Sequence, residues 1–161
     1  CNGFQALVKL GLVPYGDIRP MDDECPTLTF NTIGRHQSRL VRTRVASNLS
    51  PWLSQCEPGD IHTVAISHGE GRFVCSPELQ HQLEVTGRIA TQYVDEAGQP
   101  SMDWDVNPNG SVMAIEGITS PDGRVLGKMG HVERRGDGLY KNVPGNKFMP
   151  LFESGVKYFT D

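Results

Sequence analysis

Three clusters of residues in this sequence could carry chemistry. The chain opens with Cys1-Asn2-Gly3-Phe4-Gln5, directly before a stretch with helical spacing. A cysteine at a helix amino terminus gains from the N–H groups of the first turn and from the helix dipole. Both favour the thiolate, the reactive form of the side chain. The N–H of Asn2 points where an oxyanion would form during attack on a carbonyl, and Gly3 keeps that approach clear. The second cluster is His131-Val132-Glu133. In an extended segment residues i and i+2 share a face, so Glu133 can accept a hydrogen bond from one imidazole nitrogen of His131. That bond fixes the tautomer while the other nitrogen serves a nucleophile. The third is Ser67-His68-Gly69-Glu70-Gly71-Arg72-Phe73, which follows an apolar strand. Strand-to-loop crossings at the carboxyl end of an α/β sheet are where ligands bind. Its two glycines admit a ligand to the backbone, and the loop follows no phosphate-binding glycine pattern. Each cluster alone also has a plainer reading: a chance terminus, a surface ion pair, a solvated turn.

These side chains need elements to position them. Phe4, Leu7, Val8 and Leu12 predict a helix over residues 4–12, stopped by Pro14-Tyr15-Gly16. Residues 28–46 predict two strands, with Val41, Thr43 and Val45 on one face and Leu40, Arg42 and Arg44 on the other. His62 to Ser67 reads as a buried strand, residues 77–84 as a short helix and residues 87–94 as a strand. Turns at Asn107-Pro108-Asn109-Gly110 and Pro121-Asp122-Gly123 bracket a strand over 111–119, with another over 124–130. This hairpin delivers its end to His131. The tail closes on an amphipathic helix through Phe148, Leu151, Phe152, Val156 and Phe159. With no repeat, linker or low-complexity tract, the mixture describes one α/β unit over residues 1–161.

Composition narrows the function classes. With 37% hydrophobic and 21% charged residues and a net charge of −4, the chain is an ordinary globular sequence. It shows neither a nucleic-acid-binding surface nor a membrane span. The four cysteines lack zinc-site spacing and read as free thiols in a reducing, cytoplasmic setting, and no metal site is expected. Arg35, Arg39, Arg42 and Arg44 could face an acidic partner or simply line a solvated strand.

Taken together, C-N-G-F-Q, H-G-E-G-R-F, N-P-N-G-S, G-R-V-L-G-K-M-G-H-V-E-R and the tail from Gly138 to Lys147 resemble one family. It is the glutaminase part of phosphoribosylformylglycinamidine synthase, a class I glutamine amidotransferase, and the likeness runs along essentially the whole chain. Gly130 before the histidine and the tail resemble the long single-chain form. The resemblance implies a flavodoxin-like three-layer fold with helices on both faces, of which this chain is the carboxy-terminal portion. It implies that Cys1 attacks the glutamine carboxamide, that His131 is general base and acid, and that Glu133 orients it. The Asn2 N–H would be an oxyanion donor, and Gln5, His68, Gly69, Glu70, Arg72 and Phe73 would line the glutamine pocket. It further implies ammonia transfer to synthetase domains of the same polypeptide, which hold the ATP and Mg that this portion lacks. The portion alone is expected to be poorly active. Two other readings stand beside it. One is an amino-terminal-nucleophile glutaminase, which requires a strand directly after Cys1. The other is a degenerate domain with a scaffolding or regulatory role.

Overall fold

Phe4 and Val8, one helical turn apart, are both buried on helix α1 (Asn2–Leu10). The computed structural model describes residues 2–160. Helix α1 therefore starts earlier than the expected residue 4, and it ends at Gly11, whose φ of 84° is the left-handed conformation that closes helices. A short turn, α2 (Leu12–Tyr15), follows. A helix from Asn2 onward is not the strand that the amino-terminal-nucleophile reading needs.

Among the described residues seven strands follow: β1 (Thr27–Thr29), β2 (Gln37–Val45), β3 (Ile61–His68), β4 (Arg72–Val74), β5 (Ile89–Tyr93), β6 (Ile115–Thr119) and β7 (Leu126–Lys128). Helix α3 (Pro77–Val85) lies between β4 and β5, and α4 (Leu151–Thr160) closes the chain. Ser76 caps α3 by accepting the Leu79 N–H, with Pro77 in the first turn where no N–H is needed. The main sheet has the order β3-β2-β5-β6-β7, and β1 pairs with β4 beside it. All pairings among these strands are antiparallel.

The sheet is covered on both faces. Ile89 and Ala90, neighbours on β5, enter different cores, as strand alternation requires. Phe4 and Val8 of α1 and Leu79 and Leu83 of α3 cover one face with Phe73, Ile115 and Ile118. Leu53 of the 3₁₀ turn Pro51–Leu53, Met149, and Leu151 at the start of α4 cover the other with Val41, Val45, Val64 and Ile66. The two expected faces of β2 are observed, with Val41, Thr43 and Val45 buried and Leu40, Arg42 and Arg44 half-buried. The sheet also curls. Just past β7, at one edge, His131 donates its N–H to Ala65 O of β3, at the other edge, over 2.8 Å.

The strand expected over 111–119 is shorter. Residues Val112–Ala114 form a 3₁₀ turn with φ of 52° at Met113 and 55° at Ala114, and only Ile115–Thr119 pair. The cause is local hydrogen bonding: Asn107 Oδ1 accepts the Ser111 N–H and Asn107 Nδ2 donates to Ser111 O. The strand expected over 124–130 shrinks to Leu126–Lys128 for a related reason. Ser120 Oγ accepts the Val125 N–H at one end, and the Gly130 N–H turns to the Glu116 carboxylate at the other. Arg39, Arg42 and Arg44 donate to the carbonyls of Asp105, Glu96 and Gly98. Among the described residues no helix is long and apolar enough to cross a membrane.

Candidate active site

Helix α1 brings Phe4 and Gln5 to the sheet. The Phe4 ring stacks on Phe73 of β4 at 6.5 Å and 11°. It also covers Gly127 of β7, where a Cβ would sit 2.3 Å from Phe4 Cδ2. Gln5 Nε2 donates to Glu70 Oε2 at 2.6 Å and reaches Leu28 O at 3.4 Å. The start of α1, the loop after β3 and strand β7 therefore meet in one place. Gln5 and Glu70, both expected to line a glutamine pocket, here satisfy each other.

The loop from His68 to Phe73 is held rigidly from outside. Asn31 donates its N–H to Gly69 O and its Nδ2 to His68 O, while its Oδ1 accepts the Gly71 N–H. Ser111 Oγ donates to Gly71 O and accepts the Phe73 N–H, and Arg72 Nε donates to Gly110 O. Gly71 is required by contact: a Cβ there would lie 2.2 Å from His68 Cδ2 and Nε2. The His68 ring is almost fully buried. Burial lowers its pKa, with the Asn109 amide beside it acting the other way, so the ring is neutral at pH 7. Neither ring nitrogen makes a well-formed hydrogen bond, and Asn109, whose Nδ2 donates to the Tyr93 hydroxyl, has an unpartnered Oδ1.

His131 stands on the segment that leaves β7. Its Nδ1 lies 2.6 Å from Glu133 Oε1. The contact has the expected partners but not the expected backbone: the segment turns, with the Arg134 N–H reaching back to His131 O. Burial works to raise the Glu133 pKa, but hydrogen bonds from its own backbone N–H and from His131 outweigh it and hold the carboxyl below its ordinary value. His131 Nε2 is buried and has no hydrogen-bond partner among the described residues. The imidazole is therefore anchored at one nitrogen and, among the described residues, has no partner at the other.

Asn2 opens α1. Cys1, and with it the expected approach of its thiol to His131, lies outside the described residues. The other three cysteines are free thiols. Burial pushes the thiols of Cys56 and Cys75 up to about 11. No group of three or more His, Cys, Asp or Glu side chains among the described residues converges as a metal site. Sequence reasoning missed Asn31, Asn109, Ser111, Glu116 and Lys128. Asn109 and Ser111 sat inside the conspicuous N-P-N-G-S turn, and Glu116 was a lone acid in an apolar strand. Asn31 carried no signal.

A curled sheet covered on both faces, with an oriented His–Glu pair and a glycine loop clamped beside a helix start, has the class I glutamine amidotransferase-like fold. The chain belongs to the CobB/CobQ-like glutamine amidotransferase domain family, whose model matches residues 1–159. It is similar to the phosphoribosylformylglycinamidine synthase subunit PurQ of Synechococcus sp. (strain JA-2-3B'a(2-13)), with 35% identity over 159 residues. That match covers 99% of this chain and 60% of the relative. Among solved structures it is similar to PurLQS from Thermotoga maritima, with a TM-score of 0.68 and 26% identity over 99% of this chain and 59% of that one.

Proposed function

We propose that the protein hydrolyses glutamine to glutamate and ammonia through Cys1, His131 and Glu133. The observation that carries the reading is the His131 ring, tied to Glu133 at Nδ1 and buried without a described partner at Nε2. In this scheme the Cys1 thiolate attacks the carboxamide carbon, and the Asn2 N–H stabilises the oxyanion. His131 Nε2 passes a proton to the leaving nitrogen, so ammonia departs and a thioester remains. His131 then takes a proton from water as that water attacks the thioester, releasing glutamate and restoring the thiol. Glu133 holds the ring's tautomer throughout. Gln5, His68, Gly69, Glu70, Arg72 and Phe73 form the glutamine pocket, with the Gln5–Glu70 bond exchanged for bonds to substrate.

The ammonia feeds the ATP-dependent conversion of formylglycinamide ribonucleotide to its amidine in purine biosynthesis. The name of the similar Synechococcus protein, a synthase subunit, supports that destination. ATP and Mg belong to the synthetase part. Gly130 and the tail from Gly138 to Lys147 favour synthetase domains on the same polypeptide, and we place the reaction in the cytoplasm. The test compares wild type with Cys1→Ala and His131→Ala in the intact protein. Both variants are expected to lose glutamine-dependent turnover by at least about 10³-fold while using added ammonia normally. Undiminished glutamine turnover in either variant refutes the triad.

A further inference from the structure

A buried acid–base pair lies directly behind His131 and is not part of the proposed triad. Glu116 of β6 is fully buried. Its carboxylate accepts from the Thr91 hydroxyl of β5, from Lys128 Nζ of β7 at 3.0 Å and from the Gly130 N–H. Lys128 Nζ also donates to Gly130 O at 3.3 Å. Both polar groups of Gly130 are thus gripped by charged side chains, and the next N–H, that of His131, is bonded to Ala65 O. Gly130 itself has no room for a side chain, since a Cβ would lie 2.6 Å from Val64 Cγ2 and 2.9 Å from Glu116 Oε1.

Stability alone is a poor reason for this arrangement. Replacing a buried ion pair with apolar residues of similar size is often neutral or stabilising, so such a pair calls for another explanation. What apolar side chains cannot supply is directional hydrogen bonds to two successive peptide units. Burial favours the neutral acid, but the Lys128 charge, the Thr91 hydroxyl and the Gly130 N–H outweigh it and hold Glu116 ionised at neutral pH.

The geometry points to Glu116 and Lys128 as positioning residues that set the location of the His131 imidazole by clamping Gly130 from both sides. This rests on the proposed role of His131 in glutamine hydrolysis. Three adjacent strands contribute: Thr91 orients Glu116, Glu116 fixes the Gly130 N–H, and Lys128 fixes the Gly130 carbonyl. The imidazole swings on the very next residue, so a small rotation of the 130–131 peptide displaces Nε2 by a larger distance.

The test uses the double variant Glu116→Gln/Lys128→Met in the intact protein, which removes both charges and leaves neither buried alone. The expected result is a fall in kcat for glutamine hydrolysis of about 10²-fold, the scale of an ångström-sized misplacement. KM for glutamine should stay within about 2-fold, and in a His131→Ala background the double substitution should cost nothing further. Thr91→Val, which leaves the ion pair intact, is expected to give a smaller fall in kcat in the same direction, so the inference stays testable if the double variant does not fold. A folded double variant with kcat within about 3-fold of wild type, or a kcat loss that persists undiminished without His131, overturns the clamp. Wild-type turnover in His131→Ala alone overturns instead the triad on which it rests.

Discussion

Replacing Gly71 with alanine tests the packing of the loop after β3. The added Cβ would lie 2.2 Å from two atoms of the His68 ring and 3.0 Å from Asn109 Nδ2. Non-bonded carbons rest about 3.5–4.0 Å apart, so the ring must retreat by roughly an ångström or the loop must lift. The ring has nowhere to go, because His68 is only 1% exposed and its strand is paired with β2 along its length. Overpacking of this kind costs about 1–3 kcal/mol. In a domain of this size each kcal/mol lowers Tm by about 2–4 °C, so the expected loss is about 2–12 °C. Glycine 69 supplies the control: it lies in the same loop, and a Cβ there would meet nothing within 4 Å. Gly69→Ala should change stability by less than about 0.5 kcal/mol. Thermal unfolding of the two variants side by side decides the matter. Ammonia release should also show a raised KM for glutamine in Gly71→Ala, because the loop that moves is the proposed pocket wall. Equal melting temperatures for the two alanine variants would show that the His68 contact is not rigid and that the argument from burial is wrong.

Three further outcomes are expected. Burial lowers the pKa of both His62 and His68, so the unfolded chain takes up protons near pH 6.5 that the fold refuses. Stability is therefore full above that pH and falls as pH drops, by up to about 2.7 kcal/mol per pH unit for two protons, and urea midpoints that match at pH 7.5 and 5.5 would contradict this. Glu133→Gln keeps the size of the side chain but removes the carboxylate 2.6 Å from His131 Nδ1, so kcat for glutamine hydrolysis should fall by about 10²–10⁴-fold with little change in Tm. A glutamine-like electrophile, followed by mass spectrometry after brief exposure, should label Cys1 first, because the Cys56 and Cys75 thiols are pushed up to about 11; early label on Cys75 would move the nucleophile.

The parts of this fold that were legible in sequence are those where one residue's environment is set by its own strand or helix. The division of β2 into two faces followed from alternation, and the structure buries the one that carries Val41, Thr43 and Val45. Helix α1 followed from its apolar spacing, and its end at Gly11 only from the left-handed backbone there. The run Val112-Met113-Ala114 looked like strand because it is apolar, yet the Ala114 N–H donates to Ser111 O and Met113 O accepts from the Gln92 side chain, while Asn107 grips the backbone of Ser111 just before them. The His131–Glu133 contact was anticipated from an extended spacing and is made across a turn, since either backbone can bring residues i and i+2 within reach. Asn31 could not be found this way. It holds the loop at Gly69 and Gly71 from far along the chain, and an asparagine before a turn is common in any sequence.

Strand β3 shows why the two halves of the candidate site depend on one register. Its buried face runs His62, Val64, Ile66, His68, so the apolar core ends on the histidine that packs under Gly71. The carbonyl of Ala65 on the same strand receives the His131 N–H. Pairing with β2 sets both at once, with Gln37 opposite His68 and Leu40 opposite Ala65. A slip of one residue would put Ser67 beneath the glycine loop, turn Val64 and Ile66 to the opposite face and shift the docking point of His131 along the edge. The burial of Val64 and Ile66, which is ordinary core packing, is therefore also what holds the pocket loop and the proposed catalytic histidine in position relative to each other.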